Sequence, residues 1–173
     1  SGGHDYDIFL DNRKISIDAL YADEEYWNLF DFEFVAGDPF TGGHVRDASP
    51  VAVITTDLAE RYFGSSEEAM GQEIELGSRV HKVIGLVEKA RTTAPLVAAE
   101  AFLPLTTIEA RMLEDTDFHG NMAGVVMASE KADIPLIKEE VSSKVSAVVY
   151  PTPEDYNRVS TIPMDSAEMF AGM

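Results

Sequence analysis

The sequence predicts an α+β fold of small mixed sheets with packed helices, and three observations lead there. Runs with a two-residue hydrophobic period alternate with stretches of helical period, so neither class of element dominates. Glycine or proline stands at the ends of many of these runs, where neither suits a ladder interior. No internal repeat at a fixed period and no low-complexity block is present, which sets aside solenoids and linkers.

Ile15, Ile17, Ala19 and Tyr21 alternate with Ser16 and Asp18, and residues 8–10 precede them across the polar turn Asp11-Asn12-Arg13-Lys14, so a hairpin with one buried face is expected. Asp23 caps a short helix whose first turn holds Glu24 and Glu25, with Tyr26, Trp27 and Phe30 on one side. An aromatic stripe of this spacing is read as core. Phe32 and Phe34 alternate with Asp31 and Glu33 as a brief strand that Gly37 and Pro39 end.

Residues 51–54 read as a strand, Thr56 as a helix cap, and Leu58, Ala59, Tyr62 and Phe63 as the apolar stripe of a helix closed by Gly64. Residues 74–76 and 80–87 flank Gly77-Ser78-Arg79 as a second hairpin. Residues 101–103 form a short strand, and Thr106-Thr107-Ile108-Glu109 has the spacing of a capping box for a helix reaching about residue 113. The last third reads strand (123–128), helix opened by Asp133 with Ile137, Val141, Val145 and Val148 in register, then strand (157–162), a crossover order.

Thirteen basic against 31 acidic residues give a formal charge of −18 in 173 residues, which repels phosphate backbones and anionic lipid, so no nucleic-acid partner is expected. Composition is 45% hydrophobic and 25% charged, ordinary for a globular chain that buries a core unaided. Zero cysteines remove disulfides, thiolate metal sites and a cysteine nucleophile. No apolar run approaches the ~18 residues of a membrane span, and the opening Ser1-Gly2-Gly3 has the look of a cloning scar on an excised piece.

Chemistry is hard to place. Residues 114–119 offer alternating oxygen ligands before Gly120, but the twelfth position counted from Asp115 is Val126, where a calcium loop needs a bidentate carboxylate. His4, His44, His81 and His119 form no zinc-binding pair on one helix. Ser65 and Ser66 follow a helix and lack the glycine spacing of a nucleophile elbow. No glycine cradle for a phosphate occurs. The expectation is no enzyme, no catalytic or cofactor-binding residue, no metal ligand and no cofactor.

Taken in order, Tyr21-Ala22-Asp23-Glu24-Glu25-Tyr26-Trp27, Phe34-Val35-Ala36-Gly37-Asp38-Pro39-Phe40, Pro50-Val51-Ala52-Val53-Ile54, Leu58-Ala59-Glu60-Arg61-Tyr62-Phe63-Gly64, Met70-Gly71-Gln72-Glu73-Ile74, His81-Lys82-Val83-Ile84-Gly85-Leu86-Val87 and Ala101-Phe102-Leu103-Pro104-Leu105 resemble the successive signatures of the MacB-like periplasmic core domain of FtsX-like ABC transporter permeases. Each signature alone is a plain apolar-plus-glycine pattern; their shared order over about residues 15–110 carries the resemblance. One departure is Asp38, since the family usually has arginine directly after the glycine of that turn.

The resemblance implies a membrane-proximal, porter-like base of residues 1–35 and 121–173, incomplete on its N-terminal side, and an inserted, Sabre-like outer lobe of 36–120, with Gly37-Asp38-Pro39 as a corner between them. It further implies a periplasmic or extracytoplasmic domain of an inner-membrane protein that couples cytoplasmic ATP hydrolysis to substrate export, lipoprotein release or signalling. Its partners would be a second permease subunit, a cytoplasmic ATPase subunit or domain, and a periplasmic adaptor or cargo protein. A free-standing secreted or periplasmic binding module is the alternative, and an acidic metal-dependent hydrolase resting on residues 114–119 is a third.

Overall fold

A computed structural model describes residues 2–10, 13–90, 97–108, 123–148 and 163–165. Strands β1 (Gly2–Leu10) and β2 (Arg13–Ala22) form the expected hairpin, in register from Leu10 opposite Arg13 to Gly2 opposite Tyr21. The first strand is longer than expected and begins at Gly2; the alternation of Tyr6 and Ile8 with Asp5 and Asp7 already carries the period.

Five more strands complete one mixed sheet: β3 (Phe34–Gly37), β4 (Val51–Thr55), β5 (Glu73–Leu76), β6 (Arg79–Val87) and β7 (Ala101–Pro104). The order across it is β1-β2-β7-β4-β6-β3, with β5 also on β6. Strand β7 runs parallel to β2 and antiparallel to β4, and β4 runs parallel to β6. Lys82 of β6 pairs with Val51 of β4 and with Glu73 of β5, so β5 lies on the edge of β6 opposite β4. Strand β3 shares that edge, pairing with residues 85–87.

Parallel β4 and β6 need a crossover, and helices α3 (Thr56–Phe63) and α4 (Ser66–Ala69) supply it. The cap of α3 is Thr55, not Thr56: its hydroxyl accepts the N–H of Leu58 at 3.2 Å, so strand passes into helix with no loop between. Gly64 ends the helix at φ 85°. Helix α1 (Tyr26–Leu29) starts later than expected: the Asp23 carboxylate does accept the Tyr26 N–H at 3.2 Å, but Glu25 holds the cap position, so Glu24 and Glu25 precede the helix instead of filling its first turn, and Phe32 precedes β3 instead of joining it.

Helix α2 (Gly42–Arg46) has no apolar periodicity to announce it. It rests on a capping box in which His44 replaces the usual acid, its Nδ1 accepting the Thr41 N–H at 3.1 Å. The box expected at Thr106 instead closes a 3-10 turn, Leu105–Thr107; Thr107 Oγ1 donates to the Pro104 carbonyl at 2.7 Å and Ile108 is extended. Residues 109–113 of that expected helix lie outside the described residues.

Both faces of the sheet are buried. One collects Ile17, Ile54, Ile74, Leu76, Val83 and Leu103 under Leu58 and Ala59 of α3 and Ala69 of α4. The other holds Leu20, Val53, Val87 and Phe102 beneath Tyr26 and Phe40. Neighbouring residues of one strand therefore enter different cores, which is why β4 and β7 read as continuous apolar runs. In β6 the partner of β4 jumps from Val83 to Gly85, a bulge at Ile84 that resets the alternation so that Leu86 and Val83 share a face.

The chain divides into two compact units, residues 1–124 and 125–173. In the second, helix α5 (Ile134–Ser146) follows a 3-10 turn, Lys131–Asp133. Asp133 occupies the cap position without a side-chain bond, Ile137, Val141 and Val145 are half-buried, and Val148 lies past the end. Residues 123–128 form no regular element where a strand was expected, and Val125, Val126 and Met127 are exposed. The strand expected at 157–162 lies outside the described residues.

Candidate functional site

The segment Phe34-Val35-Ala36-Gly37-Asp38-Pro39-Phe40 is built into the sheet. Gly37 has φ 69° and pairs with Gly85, and the Asp38 N–H donates to the Ile84 carbonyl at 3.3 Å. A Cβ on Gly37 would lie 2.1 Å from the Ile84 oxygen, and one on Gly85 would lie 2.7 Å from the Asp38 oxygen. Two backbones meet here at a distance only glycine allows on each side. Phe40 then buries its ring in the aromatic core. The corner is thus held against β6 at the bulge.

Aromatic side chains from the short helix α1 and from irregular backbone roof this face. Trp27 lies edge-on to Phe40 at 5.1 Å and to Phe102 at 5.5 Å, and Phe32 packs on Phe102 at 5.1 Å. Burial raises the Tyr26 hydroxyl well above the ordinary tyrosine range. The reading of Tyr26, Trp27 and Phe30 as core agrees with this packing.

Beside the C-terminal end of β4, Arg61 Nη2 meets Glu100 Oε2 at 2.8 Å, and Lys89 Nζ bridges Glu100 Oε1 at 3.7 Å and Asp57 Oδ2 at 3.4 Å. This ties α3 to the chain just before β7 and just after β6; partly exposed pairs of this kind contribute little singly. Asp18, cross-strand from Asp5, has its carboxyl raised by burial and then by the charges of Asp5 and Glu100.

Of the residues weighed in the sequence, Ser65, His44 and His81 have defined places in the fold. Ser65 caps α4, its Oγ accepting the Glu67 N–H at 3.2 Å. His44 belongs to the α2 capping box. His81 is buried on β6 opposite Ile74, and burial, aided by Arg79, lowers it to about 4. Its inward position was readable from the alternation of residues 79–83. Among the described residues no three His, Asp or Glu side chains are placed to hold a metal ion. Residues 114–119 lie outside them.

The family model for the MacB-like periplasmic core domain matches residues 5–144. The chain belongs to that family. This MacB-like core domain is 29% identical over 90 residues, 51% of its length, to the macrolide export ATP-binding/permease protein MacB of Acinetobacter baylyi, and matches only 14% of that protein. Its fold is similar to the periplasmic region of MacB from Actinobacillus actinomycetemcomitans, with TM-score 0.61 and 15% identity over 83% of this chain and 64% of that one. It is similar also to the extracellular domain of the noncanonic ABC-type transporter YknZ from Gram-positive bacteria, with TM-score 0.65 and 16% identity over 92% of this chain and 75% of that one. A domain of a putative permease protein from Porphyromonas gingivalis aligns at TM-score 0.53 and 16% identity, covering 99% and 76% of the two chains.

The MacB-like core domain is the periplasmic part of an inner-membrane ABC transporter permease of the MacB/FtsX-like class. None of the described helices is long and apolar enough to cross a membrane.

Proposed function

We propose that this domain is a non-catalytic coupler, which carries conformational change driven by cytoplasmic ATP hydrolysis to a substrate or partner outside the membrane, in export, lipoprotein release or signalling. Its working partners are a second permease subunit, a cytoplasmic ATPase subunit or domain, and a periplasmic adaptor or cargo protein. The observation that carries this reading is the continuous sheet. In the proposed division into a base (1–35 and 121–173) and an inserted lobe (36–120), β2 of the base is hydrogen-bonded along β7 of the lobe, from Ala19–Ala101 to Ala22–Pro104. Displacement of β2 is therefore passed on to β7, β4 and β6, since interiors packed at this density resist internal shear.

The chain contains no cysteine, so a cysteine introduced here meets no other within the domain. In the full transporter, cysteine pairs scanned across the facing surfaces of two subunits should crosslink in a nucleotide-dependent way, and locking them should abolish transport or signalling. Full activity with the pairs locked would make the domain a static docking platform and overturn the coupling reading.

A further inference from the structure

Among the described residues, and tyrosines and tryptophan apart, three polar side chains are buried, and two of them are bonded: Thr55 accepts from Leu58 and Thr107 donates to Pro104. His81 is the third. It is 1% exposed, and neither Nδ1 nor Nε2 has a hydrogen-bond partner. A buried N–H or ring nitrogen without a partner is costly, and a buried imidazolium far more so.

Its place in the fold directs where that cost is felt. His81 faces inward with Val83, directly across the ladder from Ile74 of β5. Strand β5 has four residues and is paired in the sheet with β6 alone among the described residues, whereas β6 is also held by β4 and β3. We propose that His81 makes the β5–β6 ladder an acid-sensitive latch: protonation of the imidazole releases β5, with Ile74 and Leu76, while β2, β7 and β4 stay paired.

The surrounding charges do not rescue the cation. Arg79 shares the face of His81 on β6 and opposes its protonation, while Lys82 alternates to the other face. Glu73 and Glu75 on β5 alternate away from Ile74 and Leu76 and are exposed, as are Glu67 and Glu68 on α4. From α3, Glu60 and Arg61 are exposed and the Tyr62 hydroxyl accepts the Glu75 N–H at 3.2 Å; from β1, the Tyr6 ring lies against Gly77. The Arg79 backbone favours the charged form, but more weakly than burial and the Arg79 charge disfavour it.

The sign follows from linkage. An opened β5 frees His81 to titrate near its ordinary ~6.5, while in the closed ladder it titrates near 4. The latch is intact above the open-state value and weakens as pH falls from there toward 4. Those two values give about a hundredfold rise in the opening equilibrium between pH 7 and pH 4.

Amide exchange of the whole chain, followed by NMR and corrected for intrinsic rates, tests this directly. The β5 amides should exchange about a hundredfold faster at pH 4 than at pH 7, the β2 and β7 amides should not follow, and His81→Leu should remove the response. Titration of the His81 ring in the unaltered protein gives a second readout that needs no variant, with a midpoint expected near 4. A midpoint near ~6.5, a β5 response that persists in His81→Leu, no β5 response at all, or exchange of β2 and β7 rising in step with β5 would each overturn the latch.

Discussion

The two faces of the sheet draw on the same strands but are covered by different means. Leu103 and Phe102 are adjacent on β7 and both fully buried, yet Leu103 packs beneath helices α3 and α4, and Phe102 beneath aromatic rings carried by short or irregular backbone. The aliphatic side is closed by regular elements with caps at both ends of α3. The aromatic side is closed by ring area, with Trp27 touching Phe32, Phe34, Phe40 and Phe102. Large rigid rings let a four-residue helix and an extended loop do what a longer helix does opposite.

Substituting the adjacent pair is the sharpest way to break this comparison. Phe102→Ala should cost about 4 kcal/mol and Leu103→Ala about 3 kcal/mol in urea unfolding, both being large-to-small changes at fully buried sites. The near-UV circular dichroism of Trp27 should collapse in the first variant and persist in the second. Loss of the Trp27 signal from Leu103→Ala would mean that the two cores are one.

Gly37→Ala comes next. It places a Cβ on the Ile84 carbonyl at a positive φ, and about 3 kcal/mol of stability should be lost. A cost under about 1 kcal/mol would mean that the corner is looser than its pairing with Gly85 indicates. Thr55→Ala, at the point where β4 enters the helical cover, should cost about 1 kcal/mol through the lost cap. An equal loss of aromatic-side protection would blur the distinction between the faces.

The hairpins, β4, α3 and β7 were legible because each has a period and a punctuating residue, as in Thr55 to Gly64. Helix α2 was not, because Gly42 and Gly43 oppose helix formation and the turn depends on the Thr41–His44 box. Thr106 to Glu109 matched a box in sequence, but Ile108 turns extended, so local pattern lost to the chain path after β7. Residues 123–128 have strand composition without a ladder, since pairing is a tertiary property no single run encodes. The Gly37–Gly85 approach joins residues far apart in sequence; each glycine was visible as a turn or close-approach position, but their contact was not.

The central claim is that the sheet moves as one body within a coupling domain, and pulsed electron spin resonance on the full transporter tests it most directly. Spin labels on cysteines at Asp7 of β1 and Val80 of β6, both exposed, report the span of the sheet within one subunit. Labels at Val80 alone report the separation of two subunits. Nucleotide should change the separation between subunits and leave the Asp7–Val80 distance unchanged. A nucleotide-dependent Asp7–Val80 distance with a fixed separation between subunits would contradict the account.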